Sequence, residues 1–229
     1  MAGPETPSAG SGTDDSHTEI GRICASCIDD VQVDGGGVSV VTTRGFAGTV
    51  WVSDTTAARV EELQFSLGEG PCFEAVSTRR PVLVPDLADT SGEASRWPGF
   101  RSEAASSGIG AIFGLPLNAG TFTLGALDLY RREPGPLTRD EVHRARRAAD
   151  DASNALLELN LDQASAEPPG ATYHWVVHQA AGMITRQLRV PIGDAMLHLR
   201  AAAYSEGIPI DAFAAEIVDR RRRLSKEDT

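Results

Sequence analysis

Ile109-Gly110-Ala111-Ile112-Phe113-Gly114-Leu115-Pro116-Leu117, then Asn118-Ala119-Gly120, then Thr121-Phe122-Thr123-Leu124-Gly125-Ala126-Leu127-Asp128-Leu129-Tyr130, is the stretch that decides the fold. Two apolar runs of strand length flank a short segment ending in Gly, which reads as an antiparallel hairpin. Pro134-Gly135-Pro136 closes the hairpin region. Thr138 then N-caps a long helix from Arg139 to about Leu161, with Glu141 at its third position completing a capping box.

Upstream, Ile20, Ile23, Cys24, Cys27, Ile28 and Val31 repeat at helical spacing and predict an amphipathic helix over residues 18–33, which Asp34-Gly35-Gly36-Gly37 breaks. Val38-Ser39-Val40-Val41-Thr42 is a strand by its β-branched content, and residues 48–53 form a second strand after the Arg44-Gly45 turn. Residues 55–63 coil back over that sheet. In Leu67-Gly68-Glu69-Gly70-Pro71-Cys72 the glycines permit a tight irregular turn, and Pro71 stands where a helix can start. Residues 81–84 are a short strand, and Trp97-Pro98-Gly99-Phe100 opens another helix. Helix, hairpin, helices, hairpin and final helix describe an α+β domain around an antiparallel sheet with flanking helices.

After Glu167-Pro168-Pro169-Gly170, a joint by composition, the pattern becomes all-α. Three short segments carry apolar faces: Tyr173, Val176, Ala180, Met183 and Ile184; Ile192, Ala195, Met196, Leu199 and Ala203; and Phe213, Ala214, Ile217 and Val218. Pro191 lies at the start of the second helix, Gly207 and Pro209 separate it from the third, and Asp211 is a plausible N-cap. None is long enough to stand alone, so the three must bury their faces together as a bundle. A wheel at about 100° per residue puts His178, Ala181, Gly182, Thr185 and Arg189 on the side opposite the first apolar face. That side is small at its centre and ringed by cations, which suits a polyanion. Arg186, Arg189 and Arg200 lie beside it; Tyr204 and Trp175 read first as core aromatics, and otherwise can stack on unpaired bases.

The 229 residues, 41% of them hydrophobic, allow one large domain or two small ones and exclude general disorder. Residues 1–16, rich in Gly, Pro, Ser and Thr, read as a disordered tail without the layout of a secretory signal. No apolar run reaches membrane-spanning length. Cys24, Cys27 and Cys72 are few and odd in number, which suggests free thiols in a reducing cytoplasm. A lone Cys-x-x-Cys inside an amphipathic helix reads as buried thiols before it reads as half a metal site. The net charge of −11 argues against a nucleic-acid partner until its distribution is seen. From Thr172 onward, 8 basic residues stand against 7 acidic ones, so the acidic load lies upstream. Arg220-Arg221-Arg222-Arg223 suits either a phosphate clamp or a helix C-terminus with its favoured cations. In the long helix, Val142, Ala145, Ala149, Ala152, Leu156 and Leu159 form a near-heptad, which suggests a homodimer seam ahead of simple packing on the sheet.

Gly68-Glu69-Gly70-Pro71-Cys72, Trp97-Pro98 and Phe122-Thr123-Leu124-Gly125-Ala126-Leu127-Asp128-Leu129-Tyr130 together resemble a GAF domain, over residues 17–163. Gln179-Ala180-Ala181-Gly182-Met183-Ile184, Ala195 with Leu199-Arg200 and Ala203, and Phe213-Ala214-Ala215 with Ile217-Val218 resemble the ANTAR domain, over residues 172–226, with 164–171 as linker. Many members of that family place a Lys just before the Gly. Here the position is Ala181, and Arg186 or Arg189 would supply the charge. The joint resemblance implies an actinobacterial-type transcription antitermination regulator. Its GAF domain would sense a small molecule or redox signal, in a pocket built from residues 55–79 and 97–107. Its bundle would bind RNA stem-loops in leader transcripts through His178, Ala181, Gly182, Thr185, Arg186, Arg189, Arg200 and Tyr204. No catalytic residue, cofactor or metal is assigned. The alternative is an enzyme of the GAF fold, such as a free-methionine sulfoxide reductase, using Cys72 or the Cys24/Cys27 pair.

Overall fold

The computed structural model describes residues 12–42, 45–89, 96–158 and 172–224. Its centre is a sheet of order β3-β4-β5-β1-β2-β6, every pair antiparallel. The strands are β1 (Gly35–Thr42), β2 (Gly45–Val52), β3 (Val82–Val84), β4 (Ala111–Ala119), β5 (Phe122–Arg131) and β6 (Thr172–Tyr173). The β4–β5 hairpin is tighter than the sequence suggests. Ala119 pairs with Phe122, and Gly120 makes the reversal at φ +59. That left-handed conformation costs a glycine nothing.

Side-chain alternation sorts the sheet into two faces. Val38, Val40, Leu127 and Leu129 join a core with Ile20, Cys24, Cys27 and Val31 of α1 (Gly12–Val31) and with Ala145, Ala149, Ala152 and Leu156 of α5 (Arg139–Glu158). This corrects the dimer seam. The near-heptad of α5 is buried on α1 and the sheet of its own chain, so Ala145, Ala149, Ala152 and Leu156 have no face left for a partner. Leu159 lies outside the described residues. The capping box forms as expected: Thr138 N donates to Glu141 Oε2 (2.6 Å) and Glu141 N to Thr138 Oγ1 (3.2 Å). The first helix starts at Gly12, so residues 12–16 are helical rather than tail. The rest of the tail and the linker over 164–171 lie outside the described residues.

The other face is covered by α2 (Thr55–Leu67), α3 (Pro71–Thr78) and α4 (Pro98–Ser106). Asp54 caps α2 by accepting from Thr56 N (2.7 Å) and Ala57 N (2.9 Å). Gly68 ends it at φ +68, and Pro71 opens α3. Next come β6, α6 (Trp175–Ile184), a π-helical turn at Thr185–Arg189, α7 (Ile192–Glu206) and α8 (Ile210–Val218). Val177, Ala180, Ile184, Leu188, Ala195, Leu199, Ala203, Phe213, Ala214 and Ile217 form the bundle core, and Phe65, Cys72 and Ala126 of the sheet domain belong to the same cluster. The bundle therefore sits on the α2/α3 side as a third layer. Asp211 is not the N-cap of α8, because Pro209 takes that position and the Asp211 carboxylate turns to His174.

Candidate functional site

The sheet face under α2 is small and polar: Gly37, Ser39, Thr49, Gly114, Ala126 and Asp128. Helix α2 lowers Glu61 and Gln64 onto it, one turn apart. Gln64 Nε2 donates to Asp128 Oδ2 (2.7 Å), while Gln64 Oε1 accepts from Cys72 N (2.8 Å). Ser39 Oγ donates to Glu61 Oε2 and lies 3.4 Å from Thr49 Oγ1. The glycines are what let the helices come this close. A Cβ at Gly37 would meet Glu61 Oε1 of α2 at 2.7 Å, and one at Gly114 would meet the Pro71 carbonyl oxygen, where α3 starts, at 2.9 Å.

Ser39, Glu61, Gln64 and Asp128 are all buried, and Glu61 Oε1 and Asp128 Oδ1 have no hydrogen-bond partner among the described residues. Two carboxyls in so dry a place cannot both ionise. Burial, with the charge of Asp128 second, pushes Glu61 well above the usual carboxylate range. Burial lifts Asp128 to about 7, against the lowering effect of its polar neighbours, the Gln64 amide first. Burial and mutual repulsion therefore favour a proton shared by this pair rather than two ionised carboxylates. Sequence reasoning missed this pair. Alternation between Leu127 and Leu129 marks Asp128 as facing away from one core, but it does not say that a second layer covers that side.

Beside this polar floor runs the seam with the bundle. His174, almost fully buried, stacks on Phe65 with ring centroids 3.6 Å apart and planes 10° apart. Its Nδ1 donates to Asp211 Oδ2 (2.8 Å), and its Nε2 lies 3.7 Å from Glu62 Oε2. Ligand-type atoms of Glu62, His174 and Asp211 lie within 4.8 Å of one another, a spacing that could hold a metal ion. However, the two ring nitrogens face different carboxylates, so the cluster also reads as a hydrogen bond from His174 to α8 with the Glu62 carboxylate of α2 on the other side of the ring.

Arg200 is the second tie. Its Nε donates to Phe65 O (3.0 Å), and its guanidinium lies over the rings of Phe65 and Phe73, 5.7 and 5.6 Å from their centroids. It rests on Gly68, where a Cβ would fall on the guanidinium.

The expected RNA face changes accordingly. Ala181 is fully buried, Arg200 is turned inward onto Phe65, and the Thr185 hydroxyl is buried without a hydrogen-bond partner among the described residues. His178 is partly buried, edge-on to Phe65. Gly182, Arg186, Arg189 and Tyr204 are exposed. The reason is the position of the core. Val177, Ala180, Ala181 and Ile184 define it, whereas the wheel gave Val176 and Met183 equal weight and so rotated the face. What solvent meets instead is Trp175, Gln179, Gly182, Arg186 and Arg189, at alternating spacings of four and three along α6 and the π turn. In the basic run, Arg222 bonds Glu216 (2.7 Å) and Glu206 and lies over Phe213, and Arg221 pairs with Asp219 at 2.8 Å. Arg222 is thereby spent on closing the bundle, while Arg221 makes a local exposed pair.

The thiols fall apart in space. Cys24 and Cys27 lie in the α1/α5 core and Cys72 on the opposite face of the sheet. Burial pushes all three well above the ordinary thiol range.

A family model described as a GAF domain matches residues 15–157, more than half of the chain. The chain belongs to the GAF domain family. Solved structures agree on the fold. The GAF domain region of a Geobacter sulfurreducens PCA protein is 17% identical, with a TM-score of 0.52, covering 62% of this chain and 93% of that one. A GAF domain/HD domain protein from Geobacter sulfurreducens is 16% identical, with a TM-score of 0.50, covering 66% and 97%. A type II free methionine-R-sulfoxide reductase from Thermoplasma acidophilum is 12% identical, with a TM-score of 0.48, covering 65% and 97%, a likeness too distant to bear on chemistry. No curated protein matches the chain. GAF membership supports small-molecule sensing and signalling. The match ends before β6, so the bundle lies outside it. No helix among the described residues is long and apolar enough to cross a membrane.

Proposed function

We propose that this chain is a regulator whose GAF domain senses a small molecule and whose C-terminal bundle is an ANTAR-type module that binds RNA stem-loops in leader transcripts to control transcription termination. The observation that carries the reading is the exposed stripe Trp175-Gln179-Gly182-Arg186-Arg189. At Gly182 an added Cβ would meet nothing within 4 Å, so a ligand can reach the helix backbone there. Arg186 and Arg189 beside it offer two exposed guanidinium groups to phosphates, and Trp175, 47% exposed, offers a ring to an unpaired base. With a regional charge of only about +1, affinity would depend on shape and stacking more than on bulk electrostatics.

The reading is of a cytoplasmic binding protein rather than an enzyme. The sheet separates Cys72 from Cys24 and Cys27, and burial disfavours the thiolate that reductase chemistry needs.

The test is a mobility-shift titration with stem-loop RNAs selected from a random-loop hairpin pool. The double variant Arg186→Ala/Arg189→Ala should bind about 10-fold or more weakly, with a shallower dependence on salt by roughly two phosphates' worth and an unchanged circular dichroism spectrum. Equal affinity in the variant, or equal competition by duplex DNA, refutes the RNA assignment.

A further inference from the structure

Between the GAF domain and the bundle runs a groove of about 640 Å³, which falls within the usual volume of small-molecule sites. One wall is Leu67 and Glu69 at the end of α2 with Pro98, Gly99 and Ser102 of α4; the other is Leu197, Arg200 and Tyr204 of α7. Two-thirds of the surfaces of Leu197 and Tyr204 are open to solvent (62% and 66%), unusual exposure for side chains of this size. The lining is mostly apolar, and its charges are not equivalent. Glu69 Oε1 is committed to Phe100 N (2.8 Å) at the N-terminus of α4, where backbone donors offset its charge. Glu103 lies 3.8 Å from Arg59. Arg200 has no carboxylate partner among the described residues. The hydrogen bond to Phe65 O uses a single one of its five N–H groups, and the aromatic rings of Phe65 and Phe73 satisfy only its face. Burial draws its pKa down to about 10, which is the sign of a cation short of compensation.

From this arrangement we infer that the groove is a binding site for a small organic monoanion, a carboxylate on an apolar or aromatic body, with the anion on Arg200 and the body between Leu67, Leu197 and Tyr204. The assignment deepens the sensing half of the function above and rests on it, but no RNA enters its test. Such a ligand touches both the GAF helices and α7. It therefore binds the docked arrangement better than any separated one, and by linkage it holds the bundle down.

The test is calorimetric titration of the full-length protein with benzoate as probe and benzamide as its neutral counterpart. Benzoate should bind with a Kd on the order of 1 mM, as its size allows, and benzamide about 10-fold more weakly or worse. Arg200→Gln should remove the preference for the anion. Ser102→Trp, at an exposed position, should fill the groove and abolish binding while leaving Arg200 in place, which covers the case in which Arg200→Gln disturbs the seam. Benzoate and benzamide binding alike, benzoate binding unchanged in both variants, or no saturable heat from benzoate at all would each overturn the assignment. The RNA titration above is unaffected by any of these results, so the two readings fail separately.

Discussion

Replacing Asp128 by Asn should change how the stability of this protein depends on pH, and the size of the change follows from its burial. The fold prefers Asp128 protonated, with an apparent pKa of about 7 against an ordinary 3.8. Between those values the folded chain holds a proton that the unfolded chain has released. This contribution is fully present below pH 3.8 and is lost as the pH rises through about 7. At about 1.4 kcal/mol per pH unit, the whole effect is ~4 kcal/mol, of which more than half falls between pH 5 and pH 8. That is a large share of a typical domain stability of 5–15 kcal/mol. Asn keeps the shape and can still accept from Gln64, but it cannot ionise. The variant should therefore gain on the wild type by roughly 2 to 3 kcal/mol as the pH is raised from 5 to 8, whatever their difference at pH 5. Glu61, raised by the same burial and by the charge of Asp128, adds a slope of the same sign in both proteins, smaller in the variant where that charge is gone, so the comparison reports Asp128 together with its coupling to Glu61. Urea unfolding followed by circular dichroism at the two pH values measures it. A difference between variant and wild type that does not vary with pH would mean that Asp128 is ionised in the fold, and the reasoning about the buried pair would fail.

Three further outcomes are expected. Gly68→Ala should lower the unfolding midpoint by more than Gly207→Ala. Both sites sit at positive φ and lose about 1 kcal/mol for it, but only at Gly68 does a Cβ strike the Arg200 guanidinium. Thr138→Ala should cost about 1 kcal/mol in a chemical denaturation series, because it removes one half of the capping box on α5. Cys24, Cys27 and Cys72 should be silent to a disulfide reagent at pH 8 in the folded protein and react together on denaturation, since all three are buried thiols; fast reaction of Cys72 in the native state would reopen the enzyme alternative.

What the residues disclose in advance follows the range of the interactions involved. The β4–β5 hairpin, the capping box at Thr138 and Glu141 and the helix start at Pro71 are set by neighbours a few positions away, and each is readable from order alone. Asp128 is different. Its alternation with Leu127 and Leu129 gives its face, but its burial depends on α2 and on a bundle roughly fifty residues later. Ala181 shows the same limit at a smaller scale: choosing the inward side of α6 needs Val177 to be weighed above Val176, and only the packing partners decide that. The stripe on α5 was legible as apolar, yet whether α1 or a second copy would cover it could not be read from spacing. Gly37 and Gly114 were the nearest thing to a clue for the acid pair, because glycines in a strand often mark a close approach by another group.

The two residues of β6 reach further than their number suggests. By pairing with Gly48 and Thr49 they give hydrogen-bond partners to part of the outer rim of β2. A fragment that stops at Glu158 would strip that rim and leave its N–H and C=O groups looking for another strand. Such a fragment should clump or swap with its neighbours, so biophysical work on the sensing half is best done with residues through Tyr173 retained.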